Sequence, residues 1–168
     1  WMMPEDTSCW PEHGEIDIME MINGDGVSHG TYHWRRGTPK VNFPALNTGR
    51  TNCIPALNTA IGGKITVAGG DWPTAWHEYA TEYGPDGGGY VRFFVDGQMI
   101  ANVTADTSTD PHTHAHPQIF VGRGVPFFVI LNTAIGGPWP KPPTTKTVFP
   151  TYHYVDYVHV SKMRTYPE

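Results

Sequence analysis

Apolar and polar residues alternate along this chain in short runs, the period-2 signature of half-buried β-strands. Glu15-Ile16-Asp17-Ile18-Met19-Glu20 is one such run. A second follows, in which His29, Thr31 and His33 share one face and Gly30, Tyr32 and Trp34 the other. The turn Asn23-Gly24-Asp25-Gly26 between them predicts an antiparallel pair. Further strands are expected near 76–83, 90–95, 98–103, 118–122, 126–132 and 153–160. Asp96-Gly97, between two apolar runs, marks a hairpin. Residues 35–60 read as loop, and no amphipathic helix pattern of useful length occurs. The expected fold is all-β, with two antiparallel sheets packed as a sandwich.

The candidate chemistry lies in the first run. Glu15 and Asp17 point the same way on a strand, whereas Glu20, five positions beyond Glu15, faces the other side of a regular pleat. One extra residue, a β-bulge at Ile18-Met19, restores the parity and bends the strand. All three acids then face one cleft while Ile16 faces the core. Carboxyl pairs on a cleft wall suit glycosidic bond cleavage: a gap of about 5 to 5.5 Å serves retention, and one of about 6.5 to 9.5 Å admits water for inversion. A third acid raises its neighbours' pKa and keeps one carboxyl protonated near neutral pH. Against this, a bare E-x-D pattern is more often a solvated strand face.

Trp10-Pro11-x-x-Gly14-Glu15-Ile16-Asp17-Ile18-Met19-Glu20 resembles the signature of glycoside hydrolase family 16 in its laminarinase-like, bulge-containing form. The likeness extends through His29–Trp34, Trp76-His77-Glu-Tyr79-Ala-Thr-Glu82-Tyr83, Phe94-Val-Asp96-Gly97, Pro126–Pro140 and Tyr154–Val160, in family order. It implies a concanavalin-like jelly roll with a long groove that cleaves β-1,3-glucan with retention. It also implies Glu15 as nucleophile, Glu20 as acid/base and Asp17 between them. Trp10, His33, His77, Asn132 and Trp139 are the candidate substrate-binding residues; Asn132 and Trp139 rest on the resemblance. His77 equally suits a bond to a catalytic carboxylate or to a strand neighbour. Trp1-Met2-Met3-Pro4 resembles the middle of a longer family stretch, so the N-terminal strands are expected to be missing. Agar and carrageenan enzymes share the bulge, which leaves the polysaccharide open. A non-catalytic glucan-binding module and a transglycosylase are the alternatives.

Composition narrows the classes further. At 168 residues and 39% hydrophobic content, one domain with one core is expected. A net charge of −5 with no Lys/Arg run argues against nucleic acid, and no apolar run approaches a membrane span. Six tryptophans suit sugar stacking as well as a core. Secretion is expected, chiefly from the polymeric substrate that the resemblance implies. Asn102-Val103-Thr104 is a glycosylation acceptor pattern. Cys9 and Cys53, if joined, would close a loop worth about 4 kcal/mol. His112, His114 and His116 alternate as metal ligands can, but a Pro-bounded His-rich loop is more often solvated, so no metal and no cofactor are expected. No nucleophile elbow is present, and Asp86-Gly87-Gly88-Gly89 reads as a turn. Missing N-terminal strands would expose a sheet edge and invite self-association. Leu-Asn-Thr-Ala-Ile-Gly-Gly occurs twice, at 57–63 and 131–137, too few copies for a solenoid.

Overall fold

The expected alternation is met most regularly in two strands. Along Val27–Arg35 every second side chain is buried, and the same holds along Tyr90–Val95. In this computed structural model, residues 1–7, 10–11, 13–35, 58–66, 75–84, 89–105 and 126–162 are described. The strands are β1 (Met2–Pro4), β2 (Glu15–Glu20), β3 (Val27–Arg35), β4 (Asn58–Thr66), β5 (Tyr79–Gly84), β6 (Tyr90–Val95), β7 (Gln98–Thr104) and β8 (Phe127–Val129). No helix occurs among the described residues.

The strands form two antiparallel sheets, in the orders β4-β3-β2-β1-β8 and β5-β6-β7. The core lies between them. Ile16, Tyr32 and Trp34 of the first sheet meet Val91, Phe93 and Val103 of the second. Burying such side chains contributes about 1.5–3 kcal/mol each. The architecture is the all-β sandwich expected, consistent with a jelly roll. Because Ile16 and Tyr32 point inward, their strand neighbours Glu15, Asp17, Thr31 and His33 occupy the outer face of the five-stranded sheet.

Residues 58–66 depart from the loop expected up to residue 60. They form β4, paired residue for residue with the whole of β3. Asn, Gly, Ala and Lys are poor strand formers, but a nine-residue ladder overrides local preference. The same ladder explains the first copy of the repeated heptapeptide. The Gly30 carbonyl occupies the space a Cβ at Gly62 would need, and the Ile100 carbonyl that of one at Gly63. Glycine is thus required for β4 to lie against both β3 and β7.

The chain divides into two units, Trp1–Leu131, which holds the eight strands of the described residues, and Asn132–Glu168. In the second, residues 132–162 are described and run irregularly, with turns at 138–140 and 145–146. The Lys141 N–H donates to the Gly137 carbonyl at 3.1 Å, and the Thr147 N–H to the Thr144 carbonyl at 3.0 Å. The strand expected at 153–160 is absent there, and the one expected at 126–132 is confined to Phe127–Val129. An apolar run is a strand only where a neighbouring ladder takes its N–H and carbonyl groups. Among the described residues no strand ladder includes 153–160. The strand expected at 118–122, Cys9, Cys53, the His112–His116 cluster and Asp86–Gly88 lie outside the described residues.

Candidate active site

The site is built on a turn. The Gly14 N–H donates to the Pro11 carbonyl at 3.1 Å, closing a loop that brings Trp10 beside the start of β2. Gly14 has φ +85°, and a Cβ there would stand 2.8 Å from the Tyr32 hydroxyl. Only glycine meets both demands. The indole Nε1 of Trp10 consequently reaches the Glu15 carboxylate and donates a short hydrogen bond to Oε2.

The bulge lies where the parity argument requires it. Asp17 pairs with Thr31 and Glu20 with His29, so three steps along β2 match two along β3. Glu20 therefore shares the outer face with Glu15 and Asp17. Asp17 is 3% exposed, and an unpartnered carboxylate at that depth would be costly. His33 meets the need, its Nε2 standing 3.0 Å from Asp17 Oδ2. The His33 and Trp10 rings are 5.9 Å apart, so the two side chains frame the acids from either side.

Burial, and after it the charge of Asp17, pushes the Glu15 carboxyl up to about 7. The Trp10 N–H and the His33 ring oppose this rise, while a hydrogen bond with Asp17 adds to it. Burial also raises Glu20, with the Asp17 charge second and His33 opposing. Asp17 thus acts on both glutamates, and the cluster retains a proton at a pH where ordinary carboxyls have lost theirs.

The registers place the acids within rows that cross the sheet. Met2 pairs with both Ile16 and Val129, and Met3 with Phe128. One step from the Met2–Ile16 pair, Met3 stands opposite Glu15. Since Glu15 pairs with His33 and His33 with Ala60, one row runs Phe128, Met3, Glu15, His33, Ala60. A second ends in Glu20, His29 and Lys64. Sequence reasoning missed Lys64 because no strand was expected at 61–66, and Phe128 because its partner strand is remote in sequence.

Of the other candidates, His77 is engaged at the β6–β7 hairpin, where its Nδ1 lies 2.8 Å from Asp96 Oδ2. Asn132 and Trp139 belong to the second unit, where Trp139 sits in a turn and is 52% exposed. The structure therefore brings Trp10, Glu15, Asp17, Glu20 and His33 together. Among the described residues no group of three or more His, Cys, Asp or Glu side chains is arranged to hold a metal ion.

No family model matches the chain. It is 33% identical over 169 residues to a beta-glucanase of Rhodothermus marinus, covering 95% of this chain and 50% of that protein. It is 30% identical over 167 residues to a keratan-sulfate endo-1,4-beta-galactosidase of Sphingobacterium multivorum, covering 97% of this chain and 32% of that one. The chain thus spans about half, or less, of the length of these curated relatives. A solved chain from work on endo-acting O-glycanases of the human gut microbiota superimposes with a TM-score of 0.56 at 23% identity. That match covers 86% of this chain and 44% of the solved one, and at this identity the likeness is one of fold.

Proposed function

We propose that this chain carries the acid cluster of a retaining endo-glycoside hydrolase of the family 16 type, acting on β-1,3-glucan outside the cell. The bulge in β2, which sets Glu15, Asp17 and Glu20 on one face, is the observation that carries the reading. The beta-glucanase and endo-galactosidase among the relatives support a polysaccharide substrate. A net charge of −5 and three clustered acids favour a neutral glucan over a sulfated chain.

In this mechanism Glu15 attacks the anomeric carbon as a carboxylate. The new bond to its oxygen forms as the glycosidic C–O bond breaks, and the leaving oxygen takes the proton of Glu20. Glu20, now a carboxylate, removes a proton from water, which attacks the same carbon and releases Glu15. The Trp10 N–H and the His33 ring favour the charged form of Glu15, the form that attacks. Burial and the Asp17 charge favour the protonated form of Glu20, the form a general acid needs.

The test is reducing-end release from laminarin, with lichenan and agarose as competitors and proton NMR to read the first-formed anomer. Glu15→Gln is expected to abolish turnover with the fold intact. Azide is expected to restore part of the turnover of Glu20→Gln and to yield a β-glycosyl azide. Undiminished cleavage by Glu15→Gln would falsify the assignment.

A further inference from the structure

We infer that Phe128 is a sugar-stacking platform of this same site, a specificity-determining residue that binds a glycosyl unit of the polysaccharide remote from the cleaved bond. The inference rests on the function proposed above. Its basis is the row Phe128, Met3, Glu15, His33, Ala60, which crosses four strand junctions on the outer face. Side chains directly opposite one another on paired strands share a face. Phe127 points the other way and packs against the core, so the core makes no use of Phe128, which is 45% exposed.

Spacing and chemistry agree on the occupant. Phe128 lies two strands from Glu15, roughly 10 Å across the sheet. That is the reach of an oligosaccharide rather than of a single ring held at the acids. The face changes character at β2. On the β1–β8 side Met3 and Phe128 present apolar surface, whereas on the β3–β4 side His29, Thr31, His33 and Lys64 present polar groups. A pyranose ring has an apolar C–H face and a polar hydroxyl rim. An aromatic face binds the former, and the electron-rich ring favours the weakly positive C–H groups. An isolated exposed Phe needs no explanation, but one in register with the acid that would attack the sugar does.

The experiment compares the chain as it stands with Phe128→Ala and Phe128→Tyr. Laminarin hydrolysis gives kcat and KM, near-UV circular dichroism confirms folding, and retention in laminarin-containing gels is measured for all three on the Glu15→Gln background. Phe128→Ala is expected to raise KM about tenfold with kcat nearly unchanged, the scale of one aromatic contact. It is expected to lose retention to match, while Phe128→Tyr behaves as the parent. An unchanged KM and retention in Phe128→Ala, or a Tyr variant as impaired as the Ala variant, overturns the inference. If the parent is retained by laminarin but does not cut it, the hydrolase reading fails alone and retention decides on Phe128. If the parent is retained by none of laminarin, lichenan and agarose, both fail.

Discussion

Two aspartate–histidine pairs in the first unit have nearly the same geometry and opposite settings. Asp17 and His33 stand 3.0 Å apart with side-chain exposures of 4% and 20%. Asp96 and His77 stand 2.8 Å apart with exposures of 50% and 13%, so the contrast lies in the aspartates. At the hairpin, Asp96 also accepts the Glu78 N–H at 2.9 Å, and its own N–H donates to the Glu78 carbonyl at 2.9 Å. The His77 bond, followed by that of the Glu78 amide, holds the Asp96 carboxyl below the ordinary carboxylate range. This pair is a staple between a turn and the start of β5. The Asp17–His33 pair instead lies against two further carboxyls, and its aspartate raises both. The same two side chains stabilise a turn where water screens them and set proton affinity where it does not.

The sharpest test of this contrast removes each histidine. His33→Ala leaves Asp17 buried beside two acids, and urea unfolding is expected to show a loss of about 3 kcal/mol. His77→Ala is expected to cost below about 1 kcal/mol, because solvent reaches the half-exposed Asp96 that it leaves behind. Equal losses would mean that depth does not distinguish them. On activity, Asp17→Asn is expected to lower kcat/KM about a hundredfold, the lower end of proton-transfer effects, while Asp96→Asn leaves it unchanged.

Trp10→Phe removes the N–H that favours the charged form of Glu15. A hydrogen bond to a charged group contributes about 1.5–3 kcal/mol, so kcat/KM is expected to fall at least tenfold, with little change in melting temperature. A fall in stability with unchanged kcat/KM would make Trp10 a packing residue only.

Stability against pH separates the pairs by sign. Glu15 is raised in the folded chain from 4.5 to about 7, so its contribution is complete below about 4.5 and is lost as pH climbs through about 7. Asp96 is lowered, so its contribution is present above its unfolded value and is lost as pH falls through the folded one. Glu15→Gln is expected to remove the neutral-pH decline in melting temperature, and Asp96→Asn the smaller acidic one. A decline near neutral pH that persists in Glu15→Gln would assign it to another group.

Period-2 alternation is local, so β2, β3, β6 and β7 were legible in the sequence, as was the pairing of Asn23–Gly26 with a hairpin. The parity of three acids even required the bulge. That inference needed no partner strand, because the face of a side chain depends only on its position along its own ribbon. The limits of β4 and the irregular course of 153–160 were not legible, since both depend on whether a remote ladder exists. Asn58–Thr66 has weak strand propensity and a full partner, whereas 153–160 has strong propensity and takes no strand form.

The sequence by itself determined which acids share a face. The tertiary structure alone decided that His33 answers Asp17, that the Trp10 indole reaches Glu15, and that Phe128 falls in line with both. Those outcomes depend on register between strands distant in the chain, and one residue of slip would send every one of these side chains to the opposite face.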